Sequence, residues 1–337
     1  TKLHLQEIII KCMKRIIAVL TLLYIFTESD AQEGSSAYSF LDIPVSAHSA
    51  ALGGNNVSII EDDITLMYTN PAALANVSDK TLNLNFTSYF SGTSKLSAAF
   101  AKVSGERGTW AAAAEYLNYG SMTETNESHE ELGKISAKDF GLMGGYCYSF
   151  SDKWVGAAIG KALFSNYGNY SSIGLGVDLG VNYFDEANGL SLGLVARNLG
   201  GQVKAFEDKY EAMPFNLVFG ISKDLNKAPI RISLTLSDLT HWSNEYYSSY
   251  TGEDLSFGKI LMNHVALGVD IFPTKTTWVA VGYNFRRAYE MKVNDSSHWA
   301  GFSIGGGISI KRFKIGIAYG KYHVASSSIL ANASFSL

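Results

Sequence analysis

The stretch SIGLGVDLGVNYF, Ser172 to Phe184, decides the fold class because it alternates strictly with period two. One set of alternate positions is apolar, and it consists of Ile173, Leu175, Val177, Leu179, Val181 and Tyr183. The positions between them are small or polar, namely Gly174, Gly176, Asp178, Gly180 and Asn182. Successive side chains of a β-strand point to opposite faces, so the pattern predicts a strand with one apolar face and one small, polar face.

The same alternation recurs along the chain, for example over residues 230–237, 264–271 and 301–310. In a soluble β-sandwich the polar face would meet water and would be rich in Lys and Glu. Here the polar face carries Gly, Ser, Asn and Ala, and charged residues are 17% of the chain, against about 25% in soluble domains. A transmembrane barrel turns its apolar face to lipid and its polar face to the lumen. The sequence therefore predicts an all-β transmembrane antiparallel β-barrel over residues 79–337.

Counting the alternating segments predicts about 14 strands. They cover residues 79–91, 94–104, 107–119, 134–151, 153–168, 170–184, 189–200, 214–225, 229–240, 259–272, 275–288, 297–310, 312–324 and 325–337. The long connections, 120–133, 201–213, 241–258 and 289–296, all follow odd-numbered strands. Outer-membrane barrels have short periplasmic turns and long outer loops, so we expect extracellular long loops and two periplasmic termini.

The N-terminal region is expected to be removed from the mature chain. Met13 opens a segment with a charged start, an apolar run from Ile16 to Phe26, and a small-residue cleavage site at Ser29–Ala31. That order is typical of a secretory signal, and the run is too short to span a bilayer. Residues 1–31 are therefore interpreted as upstream sequence plus a signal peptide. The remaining chain has one cysteine, Cys147, so no intrachain disulfide is predicted.

Residues 32–78 precede the first predicted strand and are interpreted as a plug. Eight strands already enclose a packed interior or one small ligand, so a barrel of fourteen needs something else to fill its lumen. The candidate plug motif comprises Gly53, Gly54, Asn70, Pro71 and Ala72. Proline fixes φ and forces the preceding residue into an extended conformation, so we expect a fixed turn at Asn70–Pro71.

The plug sequence SFLDIPVSAHSAALGGNNVSIIEDDITLMYTNPAALANVS resembles the hatch of FadL-like barrels. The closer resemblance is to the PorV/PorQ family of the type IX secretion system of Bacteroidota, and within it to PorQ. It rests on the plug, on RNLG at 197–200 with MPFNLVFGISKDLNKAPIRISLTLSDLTHW at 213–242, and on the segments between 265 and 323. Together these stretches cover most of the mature chain.

The resemblance implies a non-enzymatic scaffold in an outer-membrane attachment complex that anchors cargo to lipopolysaccharide. A PorQ-like member would hold a PorZ-like surface protein, and a PorV/PorU complex is a further possible partner. The long loops offer candidate contacts with that partner. They are Glu124, Glu127, Glu130 and Glu131 in loop 120–133, and Trp242, Tyr246, Tyr247 and Tyr250 in loop 241–258. A second class of function stays open, a FadL-like channel for small hydrophobic molecules.

Enzymatic, metal-binding and nucleic-acid-binding functions are not predicted, and no cofactor is implied. Gly301–Gly305 matches G-x-S-x-G, but that motif needs a strand–turn–helix elbow and lies here within an alternating strand. The histidines show no ligand spacing. Glu61–Asp63 lacks the pattern of a calcium loop and is expected to be solvated or paired with arginine. Candidate lumenal partners for these acids are Arg197, Arg231, Arg286 and Arg287.

Overall fold

The computed structural model describes residues 37–89, 92–125, 131–225, 228–244, 246–247, 254–290, 299–323 and 326–337. Fourteen antiparallel strands in these residues form one closed barrel, so the predicted architecture and strand number are confirmed. The strands are β1 (Thr81–Ser88), β2 (Ser94–Ser104), β3 (Gly108–Thr125), β4 (Glu131–Ser149), β5 (Trp154–Tyr167), β6 (Tyr170–Asp185), β7 (Leu190–Lys204), β8 (Asn216–Asp224), β9 (Ile230–Leu236), β10 (Val265–Thr274), β11 (Thr277–Asn284), β12 (Phe302–Ile310), β13 (Phe313–His323) and β14 (Ser326–Ser336).

Pairing of β1 with β14 closes the barrel, with Thr81 opposite Ser336 and Ser88 opposite Ile329. Every other strand pairs with its neighbours in sequence, so the connections divide between the two ends of the barrel. Those that follow even-numbered strands are short and form what we call the short-turn rim. Those that follow odd-numbered strands form the long-loop rim, which includes residues 205–215 and 237–264. The barrel begins and ends at the short-turn rim, where the Leu337 amide donates to the Lys80 carbonyl.

The two faces of each strand are oriented as the alternation predicts. On β6, Leu175 and Leu179 face outward with 52% and 42% of their surface exposed, whereas Asp178 and Gly180 are buried inside. The outward face carries large exposed apolar side chains on strand after strand, including Leu84, Leu194, Ile232, Leu267, Ile304 and Ile317. The barrel wall is thus apolar on its outer surface and polar or small on its inner surface.

Residues 37–78, here called the N-terminal segment, pack against the inner surface of the wall. The segment contains α1 (Ala47–Ala51) and three 3-10 helices, Ser39–Asp42, Ile64–Tyr68 and Pro71–Asn76. Its apolar side chains pack in clusters with inward-facing residues. Leu52 and Leu66 share a cluster with Ala280 and Leu330, for example, and Phe40 shares another with Leu163. The hydrophobic core therefore lies between the N-terminal segment and the wall.

Several strand ends differ from the predicted ones. β3 and β4 extend into the region predicted as loop 120–133, so their connection shrinks to residues 126–130. Residues predicted as the start of strand 10 form α2 (Phe257–Asn263), and those predicted as the end of strand 11 form α3 (Phe285–Glu290). Both stretches lack the period-two alternation that defined the other strands, and helices accordingly form where the chain leaves the sheet. Among the described residues, no helix combines the length and apolarity required to span a bilayer.

Candidate functional site

The Asn70–Pro71–Ala72 motif forms a turn that joins the N-terminal segment to β6. Asn70 is extended (φ −145°, ψ 108°), and its Oδ1 accepts from the Ala72 amide at 2.9 Å, which caps the 3-10 helix that begins at Pro71. The Asn70 amide group donates to the Val57 carbonyl and to Asn182 Oδ1 of β6, both at 2.6 Å. The side chain thus fastens two parts of the segment to the wall.

Gly180 of β6 faces this turn across a very small gap. A Cβ atom at Gly180 would lie 2.6 Å from Asn70 Oδ1 and 3.1 Å from Pro71 Cδ. A serine at Gly180 would be tolerated only if the lumen had room for its side chain. The structure shows no such room, because the Asn70–Pro71 turn fills it.

Gly53 and Gly54 form a second tight contact with the wall. Both have positive φ, 98° and 103°, a region that favours glycine. The Gly53 amide donates to Ser303 Oγ at 3.1 Å, and the Ser303 hydroxyl donates to the Ala51 carbonyl at 2.9 Å. Ser303 is the serine of the G-x-S-x-G match, so it lies within β12 and holds the N-terminal segment rather than forming a nucleophile elbow.

A buried network of four ionisable side chains links the N-terminal segment to β9 and β10. His48 donates from Nδ1 to Glu61 at 2.8 Å and from Nε2 to Asp270 at 2.6 Å. Arg231 donates to the same two carboxylates, to Glu61 at 2.5 Å and to Asp270 at 2.8 Å. The His48 ring also stacks on Trp278, with centroids 3.8 Å apart and an interplanar angle of 2°. The network therefore contains two positive and two negative groups, and its net charge is zero.

This balance determines the protonation of the two members on the N-terminal segment. Burial by itself would lower the pKa of His48, but Glu61 and Asp270 outweigh it and raise that pKa to about 9. Burial would raise the pKa of Glu61, but His48 and Arg231 lower it to about 2. His48 and Glu61 are consequently both ionised throughout the neutral range.

Of the acidic stretch Glu61–Asp63, only Glu61 pairs with arginine as expected, and the other two residues have different partners. Glu61 pairs with Arg231, Asp62 pairs with Lys314 of β13, and Asp63 accepts from the Thr65 amide at 2.9 Å. No group of His, Cys, Asp and Glu suited to a metal ion occurs within the described ranges. His48 and Asp270 were missed as partners from the sequence. The available signal was Asp270, a lone charged residue on an otherwise small inward face.

The other three candidate arginines do not pair with Glu61–Asp63. Arg197 is buried on β7, with Asp42 at 3.6 Å and Asn55 at 3.4 Å. Arg286 of α3 pairs with Asp238 at 2.8 Å and with Glu290 at 2.7 Å. The Arg287 guanidinium lies 4.1 Å from the ring centroid of Tyr322. Of the four candidates, Arg231 is the partner of this acidic stretch.

The RNLG motif, Arg197–Gly200, contains a bulge between β6 and β7. Asn198 has φ 59°, and its amide donates to Asp178 Oδ1 at 2.7 Å. Lys161 of β5 donates to both Asp178 and Asn198 at 2.7 Å. A buried ion pair therefore stabilises the bulge, which accounts for the polar residues of this motif.

The described aromatic members of the predicted partner-binding set lie at the long-loop rim, but they differ in exposure. Trp242 is 41% exposed, with its ring 4.0 Å from that of His264 and its Nε1 donating to the Leu239 carbonyl at 2.7 Å. Tyr246 is partly exposed, and its ring stacks on His241 at 4.1 Å. Tyr247 is only 4% exposed, because it packs with Leu255 and Ile260. Tyr247 is therefore a packing residue in the interior of the loop.

The acidic candidates lie around the connection between β3 and β4. Glu131 begins β4 and is exposed, and Glu124 lies within β3. Glu127, Glu130 and Tyr250 lie outside the described residues, as do residues 1–36 with the predicted signal peptide. The ends of β3 and β4 thus position the described acidic residues on strands and not on a wide loop.

A second electrostatic cluster supports the loop between β9 and β10. Burial would raise the pKa of Asp238, but hydrogen bonding and charge from His241 and Arg286 lower it below its usual value. The Arg286 guanidinium also lies 5.1 Å from the centroid of the Tyr247 ring. These contacts join the β9–β10 loop to α3.

Comparison with known proteins identifies the architecture. No family model matches the chain, and no curated protein does. The crystal structure of the Pseudomonas putida toluene transporter TodX matches with a TM-score of 0.53 and 12% identity, covering 90% of this chain and 97% of TodX. That of the Ralstonia pickettii toluene transporter TbuX matches with a TM-score of 0.55 and 14% identity, covering 88% and 98%. A Pseudomonas aeruginosa FadL homologue matches with a TM-score of 0.52 and 10% identity, covering 86% and 98%.

At such low identities these matches show the fold alone. The chain has the fold of FadL-like outer-membrane barrels. The finer resemblance to the PorV/PorQ family is not tested by these matches and stays a prediction.

Proposed function

We propose that the chain is an integral outer-membrane barrel whose long-loop rim holds a protein at the cell surface while its N-terminal segment blocks the lumen. The observation that carries the proposal is the density of contacts between the segment and the wall. Asn70, Gly53 and His48 are each buried and each bonded to a different part of the wall. A barrel closed in this way is suited to presenting its loops rather than to conducting solutes.

Insertion in a membrane is supported by the apolar outer surface. Soluble monomers rarely expose contiguous apolar patches larger than a few hundred Å², whereas here such side chains surround the barrel. The short-turn rim adds the exposed aromatic residues Tyr148, Phe150 and Trp154, of the kind that line membrane interfaces. We accordingly propose that the short-turn rim and both ends of the barrel face the periplasm.

The partner proposed from the PorV/PorQ resemblance is a PorZ-like surface protein, within a complex that processes cargo and attaches it to lipopolysaccharide. Trp242 and Tyr246 offer exposed aromatic surface at the long-loop rim, and aromatic side chains dominate many interface energies. Exposed Glu131 could guide a basic partner by electrostatic attraction. Tyr247 would contribute by holding the loop in place.

The test is a loop variant in cells that carry the partner. Changing Trp242, Tyr246 and Tyr250 to Ser should release the surface protein into the medium while the barrel assembles at normal abundance. Changing the exposed Tyr148 and Trp154 of the opposite rim to Ser is the matched control and should leave the surface protein attached. Retention of the surface protein by the loop variant would count against the scaffold.

The second candidate function is passage of small hydrophobic molecules, and the comparisons favour it over the scaffold. Two of the matched structures are toluene transporters, and a further match is the monoaromatic hydrocarbon channel CymD. The wall also contains an open groove of about 520 Å³, lined by Leu142, Met143, Gly144, Gly160, Lys161, Ala162, Leu175, Gly176, Val177 and Leu199. The groove lies on the outer face of the wall, where β4, β5 and β6 remain paired, and it could hold an apolar molecule that approaches from the bilayer.

Uptake of radiolabelled toluene by cells with and without the protein would test this second candidate. Filling the groove with Gly144→Leu and Gly160→Leu should reduce uptake. Neither glycine contacts the N-terminal segment, so these changes should leave that segment in place. Equal uptake with and without the protein would exclude the channel function for this substrate.

A further inference from the structure

A pocket of about 410 Å³ opens at the long-loop rim, apart from the Trp242 loop. It lies between the β5–β6 turn and the connection from β7 to β8. Its lining consists of Tyr167, Tyr170, Phe206, Glu207, Asp208 and Glu211, together with Lys209. The pocket combines flat aromatic surfaces with an excess of carboxylates.

A stacked aromatic pair and one exposed tyrosine form part of the pocket wall. The rings of Tyr167 and Phe206 stack at 5.0 Å with an interplanar angle of 17°. Tyr170 stands opposite Tyr167 in the β5–β6 pair and is 51% exposed. Aromatic faces of this kind attract cations because the ring quadrupole is negative above the ring.

The end of the loop that carries Glu211 is held in place by hydrogen bonds. The Glu211 amide donates to Gln202 Oε1 at 2.9 Å, and the Gln202 amide group donates to Ser172 Oγ at 2.9 Å. Backbone bonds from Gln202 to Glu211 and from Met213 to Gly200 continue the pairing beyond the strand. A ligand would therefore meet Glu211 at a position that is already ordered, which reduces the entropic cost of binding.

The charge of the lining identifies the chemistry of the occupant. The lining contains three carboxylates and one lysine, so the pocket favours a positively charged ligand. A guanidinium group is planar, stacks on aromatic faces and binds carboxylates in a bidentate manner, whereas an ammonium is a compact and strongly hydrated charge. A metal ion would bind to the carboxylates alone and would not use the aromatic side chains.

We propose that this pocket binds an arginine side chain of a protein at the cell surface. That the ligand comes from a surface protein rests on the scaffold function proposed above. The preference of the pocket for a guanidinium group does not depend on that function. Binding of an arginine peptide to the purified barrel therefore tests the pocket separately from the scaffold.

The experiment titrates the full-length barrel, purified in a neutral maltoside detergent, with fluorescent peptides of the form Gly-Gly-X-Gly-Gly. X is arginine, lysine or citrulline, the last being a neutral isostere of arginine. The arginine peptide should bind at least tenfold more tightly than the citrulline peptide and more tightly than the lysine peptide. Its affinity should fall as salt is raised.

Two variants and one matched control assign the binding to this pocket. Glu207→Gln with Asp208→Asn and Glu211→Gln should weaken the arginine peptide at least tenfold, and Tyr170→Ser should weaken it several-fold. The control changes Glu106, Asp152 and Glu186, three exposed acids of the short-turn rim, to their amides and should leave binding unchanged. Equal binding of the arginine and citrulline peptides, or equal weakening by the control, would overturn the proposal. Loss of peptide binding at millimolar Ca²⁺, with no effect of salt on binding, would also overturn the proposal. That result would indicate a calcium site.

Discussion

At the scale of single residues, a few polar side chains that lie far apart in sequence bind the N-terminal segment to the inner surface of the wall. His48 and Asp270 are bonded to each other across 222 positions of the chain. Each charge of the His48–Glu61–Arg231–Asp270 network has an opposite neighbour, which offsets the cost of removing it from water. Loss of one member leaves a buried charge without its partner, so the network should tolerate single substitutions poorly.

Asp270→Asn should destabilise the barrel by about 3–5 kcal/mol, because it leaves two cations and one carboxylate buried together. The measurement is the urea dependence of unfolding in detergent. Adding His48→Gln to Asp270→Asn should recover part of the loss, since the charges balance again. Asp185→Asn breaks the pair with the exposed Lys153 at the short-turn rim, and as the matched control it should have a much smaller effect. Equal effects of Asp270→Asn and Asp185→Asn would contradict the role of the buried network.

The same network predicts how stability depends on pH. The pKa of His48 is raised from 6.5 to about 9, so its contribution is complete below pH 6.5 and is lost as pH rises through 9. The pKa of Glu61 is lowered from 4.5 to about 2, so its contribution is complete above pH 4.5 and is lost as pH falls through 2. The difference in unfolding free energy between the native chain and His48→Gln should therefore shrink between pH 6.5 and 9. A constant difference over that range would show that His48 is not held protonated by its neighbours.

A third prediction at this scale concerns Gly180. Gly180→Ala should impair assembly, since its Cβ would lie 2.6 Å from Asn70 Oδ1 and displace the turn at Pro71. Gly144→Ala is the control, because a Cβ at Gly144 meets no atom within 4 Å. The fraction of heat-modifiable barrel on a gel measures assembly of both variants. Normal assembly of Gly180→Ala would mean that the Asn70–Pro71 turn can move away from β6.

At the scale of elements, alternation predicts strands well where the sheet continues and poorly where the chain leaves it. All fourteen strands were placed from the sequence, because period two follows from the geometry of the strand itself. The sequence ended β3 too early and began β4 too late, since the outermost residues of both strands are mostly polar. The helices α2 and α3 were not predicted, because they are short and their stability depends on packing at the rim.

The outward side chains of β6 are expected to contact the hydrocarbon core of the bilayer. Leu179 lies near the middle of β6, and Leu179→Arg should cost about 2–4 kcal/mol of folding free energy in a bilayer. Ile310→Arg, at the end of β12 beside the short-turn rim, should cost about 0–1 kcal/mol. Folding titrations in lipid vesicles would compare the two variants. A larger cost at Ile310 than at Leu179 would contradict the proposed position of the bilayer.

At the scale of the whole molecule, the N-terminal segment and the barrel share one core. The inward face of the wall is small and polar, so water could occupy the lumen if the segment were absent. The barrel is closed by its own hydrogen bonds between β1 and β14, and that closure does not involve the segment.

Deletion of residues 38–76 should therefore leave an assembled barrel that conducts small polar solutes. Single-channel conductance in planar bilayers would measure the open lumen, and heat modifiability would establish that the variant is assembled. The full-length chain is the control and should conduct poorly. An assembled deletion variant with unchanged conductance would show that the segment does not block the lumen.

The sequence by itself determined the barrel, the number of strands and the outward face of the clearly alternating ones. These features depend on local periodicity, which is written in consecutive residues. Only the tertiary structure decided which inward side chains meet the N-terminal segment, as at Asp270 and Gly180, and which rim residues line the Tyr167–Phe206 pocket. Those contacts depend on how fourteen strands align when the barrel closes, and residues such as His48 and Asp270 become neighbours only through that closure.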